Sequence, residues 1–221
     1  LWMIKEGSAP FQLTRTNKGS SGNSAFTPDG KYISFIADRG SKRQIYLIDV
    51  NGGEALQVTK DEDGINGYSW SPDGKQIVYS KSQPKSKKDK TKEERFGAFG
   101  VEGEEYQQTH LWLLNFYYDT ILLAGQLPCY SSKDSSKKSD CVSLPVAKSL
   151  TEGNFNVGGF AWSPDAKQIA FNRQNDPLIN SGITSDIVLI EVATKKMTTM
   201  ISNPVGDFFS AWSPDGKAFV Y

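Results

Sequence analysis

Four segments of this 221-residue chain align with one another without gaps: Phe26-Thr-Pro-Asp-Gly-Lys-Tyr-Ile-Ser-Phe35, Trp70-Ser-Pro-Asp-Gly-Lys-Gln-Ile-Val-Tyr79, Trp162-Ser-Pro-Asp-Ala-Lys-Gln-Ile-Ala-Phe171 and Trp212-Ser-Pro-Asp-Gly-Lys-Ala-Phe-Val-Tyr221. No other feature constrains the fold as much, because each copy is one supersecondary unit that buries its apolar surface only against its neighbours. The marker residues Asp29, Asp73, Asp165 and Asp215 are spaced by 44, 92 and 50 residues. The outer two spacings suit one four-stranded β-propeller blade of roughly 40–50 residues. The middle spacing is about double, and insertion within one blade explains it better than an extra blade. The Lys-rich stretch Pro84 to Glu94 and the Ser/Lys stretch Ser131 to Asp140 are too polar to build buried strands.

The motif has a mechanical reading. Proline presets φ near −65° at the second turn position, aspartate bonds neighbouring backbone, and glycine tolerates a left-handed geometry. The chain therefore reverses between two strands. An aromatic residue (Phe26, Trp70, Trp162, Trp212) closes the strand before each turn, and alternating apolar residues such as Ile77 and Tyr79 or Ile169 and Phe171 mark the strand after it. The tryptophans recur at equivalent places, which points to packing between blades and not to a ligand cage. Ala166 replaces the turn glycine in the third copy, which leaves the left-handed position there in question.

Third strands are predicted at Gln44–Val50, His110–Phe116 and Asp186–Val192, apolar enough for burial on both faces. A fourth, outer strand ends in threonine, as in Gly53–Thr59, Lys148–Thr151 and, for a preceding blade, Phe11–Thr14. The expected fold is all-β: propeller blades of four-stranded antiparallel sheets, with an outer half blade at 1–16, blades at 22–60, 66–151 and 157–202, and an inner half blade at 208–221. The second blade carries insertions at 82–108 and 117–142, and Tyr117 to Val142 fits no blade pattern. The two halves could pair to close a four-bladed ring, but a partial ring cut within a repeat is the favoured expectation. The opening Leu1-Trp2-Met3-Ile4 likewise reads as lying downstream of the true N-terminus, so the compartment stays open.

Charge narrows the partners. Lys+Arg and Asp+Glu both number 25, which gives no global field for phosphate. The run Lys85, Lys87, Lys88, Lys90, Lys92 lacks interleaved aromatics and precedes Glu93 and Glu94, so it reads as a solvated loop and nucleic acid is not expected. No run of about 18 apolar residues exists to span a bilayer. Two cysteines, Cys129 and Cys141, could close a small loop in an oxidising compartment. With one histidine, His110, they cannot complete a four-ligand zinc site, and neither metal nor cofactor is expected.

The Ser-Pro-Asp-Gly repeat resembles the blade motif shared by TolB-type propellers and the N-terminal propellers of prolyl oligopeptidase-family serine peptidases. Two phrases favour the peptidases. Val101-Glu-Gly-Glu-Glu-Tyr-Gln-Gln-Thr-His-Leu-Trp-Leu-Leu114 and the stretch from Lys148 to Asp165, with its Leu-Thr-Glu-Gly connection, are similar to segments of dipeptidyl-peptidase-like and acylaminoacyl-peptidase-like members. The resemblance implies a following α/β-hydrolase domain with a Ser-Asp-His triad on a G-x-S-x-G elbow. It also implies that the propeller gates access for peptide substrates and helps select them. This chain has no such elbow: Gly19-Ser-Ser-Gly22 fails in spacing and reads as a polar loop between blades. His110 lies in a strand pattern and reads as structural, so no catalytic residue is assigned.

In dipeptidyl peptidases a pair of propeller glutamates can hold the substrate's N-terminal ammonium by charge-assisted hydrogen bonds. Glu104 and Glu105 are the candidates here, weighed against ordinary solvated loop acids. Arg95, Phe96 and Phe99 in the same insertion are weaker candidates for lining a chamber. The competing expectation is a TolB-like interaction propeller without activity, and homo-oligomerisation stays open in both.

Overall fold

The computed structural model describes residues 1–16, 19–40, 42–84, 91, 94–97, 107–127 and 141–221. Three four-stranded antiparallel sheets follow one another along the chain. The first holds β3 (Ser21–Phe26), β4 (Tyr32–Ala37), β5 (Gln44–Asp49) and β6 (Leu56–Gln57). The second holds β7 (Gly67–Trp70), β8 (Gln76–Ser82), β9 (Thr109–Asn115) and β10 (Lys148–Ser149), and the third β11 (Asn156–Trp162), β12 (Gln168–Gln174), β13 (Asp186–Glu191) and β14 (Met197–Ile201). Two-stranded sheets flank them, β1 (Trp2–Met3) with β2 (Phe11–Gln12) and β15 (Ala211–Trp212) with β16 (Phe219–Val220). Within each sheet the strands lie in chain order, as a propeller blade requires.

The four turns share one hydrogen-bonded design. The hydroxyls of Thr27, Ser71, Ser163 and Ser213 donate to Asp29, Asp73, Asp165 and Asp215 at 2.6–2.7 Å. Each aspartate also accepts the backbone N–H of the lysine two residues on, at 3.1–3.2 Å. The hydroxyl oxygens in turn accept the N–H of Tyr32, Gln76, Gln168 and Ala218. These hydroxyl and amide donors hold all four carboxyls below the ordinary aspartate range. Ala166 keeps the geometry the repeat demands, with φ of 59° beside 71°, 70° and 69° at Gly30, Gly74 and Gly216. The side-chain staple imposes the left-handed residue even where a Cβ opposes it.

The sheets pack face to face. Their central strands are buried on both sides, and alternate residues join different cores. Ile33, Phe35 and Ala37 pack with Leu13 and Phe11 of the first half sheet, whereas Ile36, Ile45 and Leu47 pack with Ile77, Tyr79 and Leu114 of the second blade. A third cluster joins Val78 and Leu111 of the second blade to Val157, Trp162 and Phe171 of the third. Tryptophans at the repeat position hook one blade to the one before: Trp70 Nε1 donates to Ser34 Oγ at 2.8 Å, Trp162 Nε1 to Ser69 O at 3.2 Å and Trp212 Nε1 to Ala161 O at 3.5 Å.

The outer strands are shorter than expected because their terminal threonines leave the ladder for another task. Thr59 Oγ1 accepts the N–H of Ile45 and Thr151 Oγ1 that of Leu111, both at 2.9 Å. Residues 117–142, which matched no strand pattern, include α1 (Tyr118–Gln126). Its Ile121 is fully buried in the core between the first two blades, and its Tyr118 ring stacks on Tyr32 at 4.7 Å. Gly125 lies so close to Leu56 that an added Cβ would come within 3.0 Å of Leu56 Cδ2. The helix therefore covers the outer edge of the first blade, which would otherwise offer unpaired strand groups to other chains. Cys141, just beyond it, is disulfide-bonded, and the one other cysteine in the sequence, Cys129, is outside the described residues.

Candidate functional site

Antiparallel order sends the first-to-second and third-to-fourth connections to one rim of the blades. The second-to-third connections and the links between blades leave by the other. The second rim carries the two ends of the 83–108 insertion and the link from β6 to β7, where a polar constellation centred on Lys81 and Asp61 lies.

Lys81, two residues beyond Tyr79 on β8, turns inward because Ile77, Tyr79 and Lys81 share a face of the strand. Its ammonium lies 3.0 Å from Asp61, 3.4 Å from Asp63 and 3.9 Å above the Trp112 ring centroid. Only 11% of the Lys81 side chain and 9% of the Asp61 side chain are exposed, so this is a desolvated pair. Tyr79 Oη donates to Asp61 Oδ2 at 2.9 Å, and burial together with the Asp61 charge pushes that phenol well above the ordinary tyrosine range. Gln44 fixes Asp61 from below, its Nε2 donating to the Asp61 carbonyl and its Oε1 accepting the Asp61 N–H. A cavity of about 720 Å³ opens beside these groups, walled on its far side by Leu144, Pro145, Val146 and Ala147.

This arrangement holds charge and shape; it has no activated nucleophile. The Lys81 ammonium is engaged on both carboxylates and a ring face. His110 sits in β9 at the place that Gln44 holds in β5, each just before the residue whose N–H bonds the threonine. Gln44 Oε1 accepts the Thr59 hydroxyl at 2.9 Å, and His110 Nδ1 stands 3.2 Å from Thr151 Oγ1. The imidazole is 4% exposed, packs edge-on against Phe155, and has no partner at Nε2. Burial lowers its pKa below the ordinary 6.5. It is a neutral packing residue in a threonine cap.

Of the residues read from sequence, Glu104, Glu105 and Phe99 are outside the described residues, as are Lys85, Lys87, Lys88, Lys90 and Lys92. Arg95 and Phe96 are exposed and contact each other, the guanidinium 5.5 Å from the ring centroid. Ser21 and Gly22 of the Gly19-Ser-Ser-Gly22 stretch open strand β3 instead of lying in a loop. Among the described residues no cluster of three or more His, Cys, Asp or Glu side chains could hold a metal, and no helix is long and apolar enough to cross a membrane. The Lys81–Asp61–Asp63 constellation was missed from sequence. Its one local signal is a lysine in an inward-facing strand position.

No family model matches the chain. It is 28% identical over 171 residues to an uncharacterized peptidase, YuxL, of Bacillus subtilis, covering 75% of this chain and 23% of that protein. It is 25% identical over 232 residues to dipeptidyl-peptidase 5 of Porphyromonas endodontalis, covering 97% of this chain and 33% of the relative. The chain thus spans at most a third of the length of these curated relatives. Among solved structures, one assigned as TolB from Agrobacterium tumefaciens aligns with a TM-score of 0.57 and 18% identity, over 97% of this chain and 61% of that one. Acylaminoacyl, dipeptidyl and prolyl peptidases of known structure align with TM-scores of 0.54 to 0.56 over 94–97% of this chain. The propeller fold and the resemblance to peptidases read from the sequence are both borne out.

Proposed function

We propose that this chain is the non-catalytic propeller of a serine peptidase of the prolyl oligopeptidase type, gating access to an α/β-hydrolase domain on the same polypeptide and helping to choose its peptide substrates. One observation carries the reading: a relative named as a dipeptidyl peptidase matches 97% of this chain, yet the match takes up only 33% of that relative. Rigid, face-packed blades suit a wall, and the rim bearing the 83–108 insertion suits a gate, since connecting loops are where such scaffolds place recognition. In this proposal Glu104 and Glu105 take the N-terminal ammonium of the substrate.

The test is labelling by a fluorophosphonate serine probe. The natural gene product should label and should release coumarin from dipeptidyl substrates; this chain expressed alone should do neither. Labelling of this chain alone would overturn the proposal. An unlabelled, inactive gene product would instead support the competing TolB-like interaction propeller, which shares the fold. Within an active enzyme, Glu104→Gln with Glu105→Gln should raise KM for free-amine substrates and leave N-blocked ones unaffected.

A further inference from the structure

On the rim opposite the insertion, the first two turns and the start of α1 enclose a cavity of about 260 Å³. Four rings line it, Tyr32, Trp70, Phe116 and Tyr118, together with the carboxylates of Asp29 and Asp73. Tyr32 stacks on Tyr118, and Trp70 meets Phe116 edge-on, each pair with centroids 4.7 Å apart. The acids are already fixed by their turns, each through Oδ1, and the hydroxyl and amide donors keep both ionised at neutral pH.

Comparison between repeats shows that this composition is local to one seam. Tyr32 occupies the place of Gln76, Gln168 and Ala218, each of which donates its N–H to the turn hydroxyl. Phe116 occupies the place of Val50 and Val192, whose N–H groups bond the carbonyls of Lys31 and Lys167 as that of Phe116 bonds Lys75. Tyr118 comes from α1, which lies between the third and fourth strands of the second blade. Three rings outside the repeat pattern thus converge on a cavity that two turn residues, Asp29 and Asp73, also line.

We infer that this seam is a binding site for a small organic cation, an alkylammonium or guanidinium group. Aromatic faces attract such a cation through their quadrupoles, and two ionised carboxylates complete the electrostatics. The volume, below the ~300–1,000 Å³ typical of drug-sized ligands, fits a headgroup and not a peptide. Lys31 and Lys75 are the cations already near, but Lys31 Nζ is 3.9 Å from Asp29 with 72% of the side chain exposed and Lys75 beside Asp73 is exposed too, so a ligand displaces them at little cost. Among the described residues, the cations standing over rings are Lys5, Arg39, Lys81, Arg95 and Arg173, and none stands over these four. The site is independent of the proposed peptidase role.

The test is a titration of this chain with choline, read by NMR at the Trp70 indole N–H, with the neutral isostere 3,3-dimethylbutan-1-ol as control. A saturable shift with Kd on the order of 1 mM is expected for choline and none for the isostere. Asp29→Asn with Asp73→Asn keeps the turn acceptors and should weaken choline on the order of tenfold in a variant that remains folded. A short peptide bearing trimethyllysine separates the sources: tighter binding than choline assigns the site to a partner's side chain, weaker binding to a free cation. No saturable shift, an equal response to the isostere, or full affinity in the folded double variant would overturn the inference and assign the rings to packing.

Discussion

The seam between the first and second blades and the seam between the second and third begin from the same element and are finished differently. Each has a tryptophan at the repeat position hooking back on the preceding sheet. At the first seam the acceptor is a side chain: Ser34 Oγ takes hydrogen bonds from both Tyr68 Oη and Trp70 Nε1 at 2.8 Å and itself donates to the Ala25 carbonyl. The Lys81–Asp61 pair and α1 close the remainder. At the second seam the acceptor is a backbone carbonyl, and the closure is chiefly apolar, with Phe155, Trp162 and Phe171 packed on Val78 and Leu111. The repeat thus supplies a common hook, and what makes each seam particular comes from residues outside it.

The largest effect that would separate the seams is expected at Asp61. Asp61→Ala leaves a nearly buried ammonium with only the more exposed Asp63 as its carboxylate partner and the Tyr79 hydroxyl without its acceptor, which should cost about 3 kcal/mol in denaturant unfolding. Glu62→Ala, an exposed neighbour, should stay within ~0.5 kcal/mol. A loss below about 1 kcal/mol for Asp61→Ala would mean that the pair is solvated and that the first seam closes like the second. Next is the pH response of the second seam. His110 is neutral in the fold with a lowered pKa, so its contribution is complete above 6.5 and is lost as pH falls from there through the lower folded-state value. His110→Gln, copying Gln44, should flatten the fall in melting temperature between neutral and mildly acidic pH. An unchanged slope would place the acid sensitivity elsewhere. The smallest effect is at the turns. Gly74→Ala should cost about 1 kcal/mol and Ala166→Gly should gain roughly 0.5 kcal/mol, because both residues hold a left-handed φ. Equal responses of the same sign would show that neighbouring packing decides the turn, with Pro28 at 3.7 Å from the position of an added Gly74 Cβ.

The blades were legible because a tight turn, an aromatic and an alternating strand are local patterns that recur, and recurrence removes ambiguity. Ala166 shows where local propensity misled: glycine is the easy residue at that φ, but the Ser163–Asp165–Lys167 staple determines the geometry. The helix in 117–142 was not read because nine residues with buried Ile121 and Ala124 carry little signal alone, and a segment that short is held by tertiary packing. Lys81 on β8 and Asp61 in the link from β6 to β7 lie 20 residues apart in sequence, and no local pattern unites them. The cavity of the first seam is in the same position, since Tyr32, Phe116 and Tyr118 are conspicuous only once the repeats are superposed through their hydrogen bonds.

That the marked repeats are sheets stacked face to face, coupled through their tryptophans, is tested most directly by a double-mutant cycle between Ser34→Ala and Trp70→Phe in equilibrium unfolding. A serine on one sheet and an indole N–H on the next should show a coupling of about 1 kcal/mol. Additivity to within ~0.3 kcal/mol would contradict the account, because two residues 36 positions apart can couple only if their sheets are in contact.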